Sequence, residues 1–207
     1  MKKVNNLMIV AHPDDELVFG GAELIKFGTL YKVVCISYKN NKIRSKEFEN
    51  VMTQLNVSSY EMWDFNDSLQ DYIHTLDENI SYEQKVFKNL LNKKWKKIVT
   101  HNPIGEYGHP KHKRLFETIK KLSDKFYVFG KDSDKLPDNI LNRKLELLKL
   151  YKSQHSSINQ LKNKNKDWSK SAGDSNYIEY EKISRYVESL DKKKYIPCYE
   201  KSIDFGN

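Results

Sequence analysis

Apolar residues along the chain fall into two alternating kinds of segment, short solid runs and spaced stripes. Residues 7–11 (Leu-Met-Ile-Val-Ala) form a solid run bounded by polar positions, which predicts a buried strand. Residues 16–27 then place Leu17, Val18, Gly21, Leu24 and Ile25 on one helical stripe, with Gly28 as the stop. The alternation continues with a strand over 32–37 and a helix over 44–55 that turns Phe48, Val51, Met52 and Leu55 inward. A short strand over 60–65 precedes a helix over 81–91 that Ser81 caps. A strand over 97–101, a helix over 109–122, a strand over 126–129 and a helix from Asp138 to about residue 153 complete the series. Residues 156–176 are polar and rich in lysine and asparagine, and predict a loop or lid. Residues 177–190 recover a helical pattern through Ile178, Ile183, Tyr186, Val187 and Leu190.

Strands alternating with helices predict parallel βαβ units in a three-layer α/β fold. Ligands of such sheets bind beyond the carboxyl ends of the strands. The two loops densest in chemistry follow the strands ending at Ala11 and His101, so both lie on that rim. No repeat and no second-domain boundary interrupts the 207 residues. The expectation is one domain over 1–207, with a core over 4–154 and a C-terminal lid and helix region over 155–207.

Composition narrows the class. With 38% hydrophobic and 12% aromatic residues the chain can build a compact core from few, large side chains, which excludes wholesale disorder. No run approaches the roughly 20 apolar residues of a membrane span. The basic start is followed by only five apolar residues, too few for a secretory signal, and a cytoplasmic location is expected. Cys35 and Cys198, 163 positions apart, form neither a disulfide framework nor a zinc knuckle. The net charge of +8 comes from lysines scattered through the chain, whereas arginine, the usual reader of phosphate and guanine, is scarce. A solvated lysine-rich surface is favoured over a dedicated nucleic-acid face.

The local charges say more. His12-Pro13-Asp14-Asp15-Glu16 packs an imidazole and three carboxylates into five residues at a strand end. Such groups repel or desolvate one another unless a cation settles the charge. A divalent metal is the obvious cation, with His12 and Asp15 as a nitrogen and an oxygen ligand. Asp14 then addresses the metal's water, and Glu16 sits in the first helical turn, where the dipole favours a carboxylate. Taken alone, the cluster reads equally well as an acidic helix cap. The second cluster spans 101–112, where Pro110 suits a first helical position. His109 and His112 then share one helix face. Gly105 and Gly108 let the preceding loop fold tightly and bring Tyr107 inward. Together the clusters supply two histidines and an aspartate with one coordination position open, the arrangement of a catalytic zinc site. Asp14 is the base by elimination, and His109 on the opposite side polarises a carbonyl. These parts describe hydrolysis of an amide or ester.

His-Pro-Asp-Asp-Glu at 12–16 and His-x-x-His at 109–112 resemble the paired motifs of the LmbE-like (PIG-L) deacetylase family, and the element order is similar over roughly residues 4–154. The resemblance implies a Rossmann-like fold with the metal site at the carboxyl ends of a mostly parallel sheet. It also implies zinc, with iron as an alternative, and removal of an N-acetyl or other N-acyl group from an amino sugar or sugar conjugate. On the same resemblance His12, Asp15 and His112 are the metal ligands, Asp14 the general base and His109 the electrophile at the oxyanion. Tyr107 matches a tyrosine that assists there. Arg44 and Glu47 resemble an Arg-x-x-Glu, and Asp67 an aspartate after the third strand, all three implied to touch sugar hydroxyls. Tyr151-Lys152-Ser153-Gln154 resembles a Tyr-x-Ser-Gln segment that reads as structural support. Lys111 stands where the resemblance expects an aspartate, which removes a carboxylate expected behind the ligands. The implied partner is a small N-acetylated sugar or its phosphorylated or lipid-linked conjugate, with no specific nucleic acid and with self-association left open. The alternatives are an amidase of the same fold acting on a non-sugar amide, and a basic binding protein without catalysis.

Overall fold

A computed structural model describes residues 3–65, 78–162, 180–187 and 198–199. In chain order the elements are β1 (Asn6–Val10), α1 (Asp15–Phe27), β2 (Tyr31–Cys35), α2 (Lys42–Gln54), β3 (Ser59–Met62), α3 (Glu78–Leu91) and β4 (Lys97–Thr100). There follow α4 (Gly105–Gly108), α5 (Pro110–Leu122), β5 (Tyr127–Lys135), α6 (Asp138–Leu148), α7 (His155–Lys162), β6 (Tyr180–Val187) and β7 (Cys198–Tyr199). A 3-10 turn, Gly28–Leu30, leads into β2, and another, Lys152–Gln154, precedes α7.

The strands lie in the order β3-β2-β1-β4-β5-β6-β7. The first five are parallel, and β6 and β7 are added antiparallel at one edge. The central runs are solidly apolar because both faces are covered. On β1, Met8 and Val10 join one core and Leu7 and Ile9 the other, and on β2 Val33 and Cys35 oppose Val34. One core is completed by α1, α2 and α6, through residues such as Leu17, Phe48 and Leu147. The other is completed by α3 and α5, through Phe87, Leu115, Phe116 and Ile119. Each fully buried aliphatic or aromatic side chain of this kind contributes about 1.5–3 kcal/mol. The expected three-layer α/β fold with a mostly parallel sheet is therefore the one observed.

Topology places the site. The chain runs outward from β1 through β2 to β3, then returns to lay β4 on the other flank of β1. That reversal opens a crevice beyond the carboxyl ends of β1 and β4, where α/β sheets bind ligands. The two residue-dense loops are the ones that leave these two strands.

Four local expectations are corrected. The stripe over 177–190 predicts a helix, but the described part is strand β6. Ile183 and Tyr186, three apart, pack into the two opposite cores, so a strand buried on both faces imitates helical spacing. The lid expected over 156–176 begins instead as helix α7, and the helix expected to reach residue 153 ends at Leu148 before the 3-10 turn. Helix α3 starts at Glu78, so Ser81 lies inside it and not at its cap. The remainder of 163–179 and 188–197 lies outside the described residues.

Candidate metal centre and active site

β1 delivers the first motif into the crevice fully buried. His12 is 6% exposed, Asp14 9%, Asp15 5% and Glu16 0%. The turn needs an unusual backbone, with Asp14 at φ 113° and ψ −30°, a conformation a non-glycine residue holds only under constraint. The constraints are visible. Asp14 N–H donates to Glu16 Oε2 at 3.2 Å, its carbonyl accepts Leu17 N and Val18 N to start α1, and Arg44 Nη2 donates to Pro13 O at 2.9 Å. Asp14 makes no side-chain cap bond to the helix, so the capping reading of the acidic cluster does not describe its role.

Three donor atoms form a nearly equilateral triangle. His12 Nδ1 to Asp15 Oδ2, His12 Nδ1 to His112 Nε2, and His112 Nε2 to Asp15 Oδ2 are each 3.2 Å. Ligands 2.0–2.1 Å from a tetrahedral ion stand about 3.3 Å apart, so this set has the spacing a zinc or similar ion requires. Two other triples, His12 with His109 and His112, and Asp15 with His101 and His112, also have donors within 4.8 Å of one another. Hydrogen bonds separate the three cases. His101 Nε2 accepts Ala11 N–H at 3.0 Å, which occupies its lone pair. His109 Nδ1 accepts Lys111 N–H at 3.2 Å as the N-cap of α5, which leaves the ring proton on Nε2 and makes that nitrogen a donor. The set with lone pairs to give is His12, Asp15 and His112. Two imidazoles and one carboxylate suit zinc or ferrous iron alike.

Charge is arranged to match. Burial opposes ionisation of Asp15, but His112 and His12 hold its carboxyl well below the usual carboxylate range, as a metal ligand needs. Burial, reinforced by the Asp15 charge, pushes Asp14 well above that range, with Arg44 and His12 pulling the other way. Adjacent carboxyls pushed apart in this way have the opposite proton affinities that a ligand and a proton acceptor require. Glu16, raised to about 7 by burial, hydrogen bonds to Tyr151 OH at 2.5 Å.

The remaining expected residues fall in several places. His109 is half-buried, its ring centroid 4.6 Å from that of His12, and Tyr107 packs beside it with centroids 5.8 Å apart. Arg44 lies over the Tyr38 ring at 4.0 Å and reaches Asp14 Oδ1 at 3.4 Å. Glu47 gives both oxygens to Ser153, accepting its N–H at 2.9 Å and its hydroxyl at 2.6 Å. Asp67 lies outside the described residues.

Glu106 has no part in the sequence reading, and His101 enters it only as a strand end that opens the second cluster. Glu106, fully buried, places Oε2 2.8 Å from His101 Nδ1 and 2.6 Å from His112 Nδ1. The two histidines hold its carboxyl down to about 2 against the cost of burial. Lys111 brings no carboxylate to His112, but Glu106, five residues earlier, does. A glutamate between Gly105 and Gly108 in a loop with three histidines was the available signal. His101 was visible as a strand-end histidine, but its anchoring of Ala11 was not.

Comparison with known proteins agrees with this geometry. The family described as GlcNAc-PI de-N-acetylase (PIG-L) matches residues 7–123, which carry both motifs. An uncharacterized protein of Acanthamoeba polyphaga mimivirus is 36% identical over 178 residues, covering 75% of this chain and 74% of the relative. The N-acetylglucosaminyl-phosphatidylinositol de-N-acetylase of Saccharomyces cerevisiae is 24% identical over 135 residues, 58% of this chain. The aligned region spans only 43% of that yeast protein's length. Among solved structures, the N,N'-diacetylchitobiose deacetylase of Pyrococcus horikoshii shares the fold at a TM-score of 0.55 and 17% identity, covering 73% of this chain and 70% of that one. A conserved protein of Thermus thermophilus does so at 0.51 and 14%, covering 76% and 83%.

Proposed function

The chain belongs to the GlcNAc-PI de-N-acetylase (PIG-L) family, and from that premise we propose that it is a metal-dependent hydrolase, removing an N-acetyl group from an amino-sugar conjugate. The observation that carries this reading is the 3.2 Å triangle of His12, Asp15 and His112 with Asp14 beside it. When bound, a zinc or ferrous ion supplies a Lewis acid that acidifies water and polarises the scissile carbonyl.

The chain's own groups do the rest. Asp14, a carboxyl raised by burial, takes a proton from the attacking water. Its strained backbone, gripped by Glu16 and Arg44, aims it beside the ligands and not into the helix. His109, with its proton on Nε2, donates a hydrogen bond to the oxygen that becomes negative as the carbonyl carbon turns tetrahedral. Collapse breaks the C–N bond, the proton held by Asp14 passes to the leaving amine, and acetate and a free amino sugar result. Tyr107 packs against His109 on that oxyanion side. Arg44 Nε is buried without a hydrogen-bond partner among the described residues, a donor available to a sugar hydroxyl or phosphate. Glu47 acts through Ser153, holding the turn that carries Tyr151 against α2, and Asp67 is kept as a substrate contact on resemblance alone.

No helix among the described residues is long and apolar enough to cross a membrane. The exposed Lys39, Lys42 and Lys46 near Arg44 favour an anionic conjugate, phosphorylated or lipid-linked. The reading is tested by acetate release from a panel of N-acetylglucosamine, chitobiose, UDP-linked and phosphatidylinositol-linked substrates, before and after zinc loading. Release from at least one sugar, dependent on metal, supports it. Release only from non-sugar amides moves the activity to the amidase class.

A further inference from the structure

We infer that Glu106 is the positioning residue of the metal centre, one carboxylate that fixes the tautomers of two histidines at once and so decides which nitrogen of His112 faces the metal. The inference rests on the metal-site reading above and deepens it. Its starting observation is strain. Glu106 has φ 54° and ψ −74°, the dihedrals of a tight γ-turn that a residue with a Cβ enters rarely. Gly105 before it sits at φ 67° and Gly108 after it at φ 98°, so the loop needs three left-handed residues in four to turn this one side chain inward.

What the strain achieves is a buried carboxylate facing two imidazoles and a backbone N–H. Oε1 accepts Asn102 N–H at 2.9 Å, and Asn102 Oδ1 in turn accepts Glu106 N–H at 3.1 Å. Oε2 faces the Nδ1 atoms of both His101 and His112. An ionised carboxylate only accepts, so both Nδ1 atoms must carry protons. With Nδ1 of each ring donating to Glu106, the Nε2 atoms are the ones left to accept or to ligate. That of His101 accepts Ala11 N–H and holds the end of β1, and that of His112 completes the triangle with His12 and Asp15. The two rings stack with centroids 3.7 Å apart, so neither can turn without the other. One side chain thus ties the loop after β4 to the strand that delivers the first motif.

The test uses Glu106→Gln in the full chain. A Gln amide cannot accept from both histidines and Asn102 N–H together. Its NH2 either meets the Asn102 donor or displaces the protons from the Nδ1 atoms to Nε2, where His112 would block its own ligand position. Zinc affinity of the metal-free protein, measured by chelator competition, should fall 10- to 100-fold. The folded-state circular dichroism should be unchanged, and the cobalt-loaded visible spectrum should differ from wild type. Wild-type affinity in folded Glu106→Gln overturns the inference. Should that variant fail to fold, nitrogen-15 NMR of histidine side chains in the zinc-loaded wild type decides. Nδ1–H on His101 and His112, with Nε2 of His112 shifted by metal, sustains the inference, and metal on Nδ1 of His112 overturns it. Failure of wild type to bind any divalent metal would instead overturn the metal-site reading, and the two failures are thereby distinguished.

Discussion

Tyr151 OH donates to Glu16 Oε1 at 2.5 Å across 135 positions of sequence, and the other oxygen of Glu16 accepts Asp14 N–H at 3.2 Å. Through that pair the turn after α6 reaches the strained backbone that aims the proposed base. Tyr151→Phe removes the donor and leaves half of a fully buried carboxyl unsatisfied, at a cost of about 1–3 kcal/mol. Thermal unfolding should record that loss. Zinc content should be unchanged, while kcat falls roughly tenfold, the equivalent of about 1.4 kcal/mol in the barrier, with KM nearly constant. A kcat equal to wild type would mean that Arg44 and the helix start suffice to hold Asp14.

Arg44 touches Asp14 and lowers its proton affinity while presenting an Nε that has no hydrogen-bond partner among the described residues. Arg44→Met should therefore move two readouts. The acidic limb of the kcat/KM profile should shift to higher pH, because Asp14 loses the fixed positive charge that lowers its proton affinity. At neutral pH kcat/KM should drop roughly tenfold, with KM raised most for charged conjugates. An unshifted acidic limb would separate Arg44 from the base.

Acid stability tests the charge state of Glu106. Its carboxyl lies near 2 in the folded protein against an ordinary 4.5, so the folded state binds fewer protons than the unfolded one between these values. Stability from this group is fully present above pH 4.5 and is lost as pH falls toward 2. Denaturant titrations of the metal-free protein should show a decline over that window in wild type. The decline should be shallower in Glu106→Gln. Equal slopes would indicate that Glu106 is protonated when buried.

Much of this architecture is legible in the chain because strands buried on both faces read as solid apolar runs. The motif after β1 stands out for the same reason, since four ionisable groups against Leu7–Ala11 are costly without a purpose. What stays illegible depends on backbone or on distance. Glu106 reads as a polar residue of a glycine loop, and only its positive φ turns it inward. The Tyr151–Glu16 bond joins segments that no local pattern connects. Strand β6 misleads for a third reason, because Ile183 and Tyr186 serve opposite faces of the sheet. Lys111 shows the converse, where an expected carboxylate is missing from its position and another, Glu106, reaches His112 from elsewhere in the loop.

Removal of a ligand separates metal from structure. His112→Ala leaves a fully buried gap between Asp15 and Glu106, two carboxylates that would then face each other without the intervening ring. Zinc stoichiometry by elemental analysis should fall to near zero and acetate release should vanish. Retained stoichiometry would contradict every triple that His112 completes, the two alternatives through His101 and His109 included.

The most direct measurement pairs zinc content with acetate release in Asp14→Asn. Asp14 lies outside the ligand triangle, so the variant should bind one zinc per chain like wild type. It should release acetate at least 100-fold more slowly, since the proton acceptor is gone while the Lewis acid remains. Wild-type turnover in a zinc-replete Asp14→Asn protein would contradict the account.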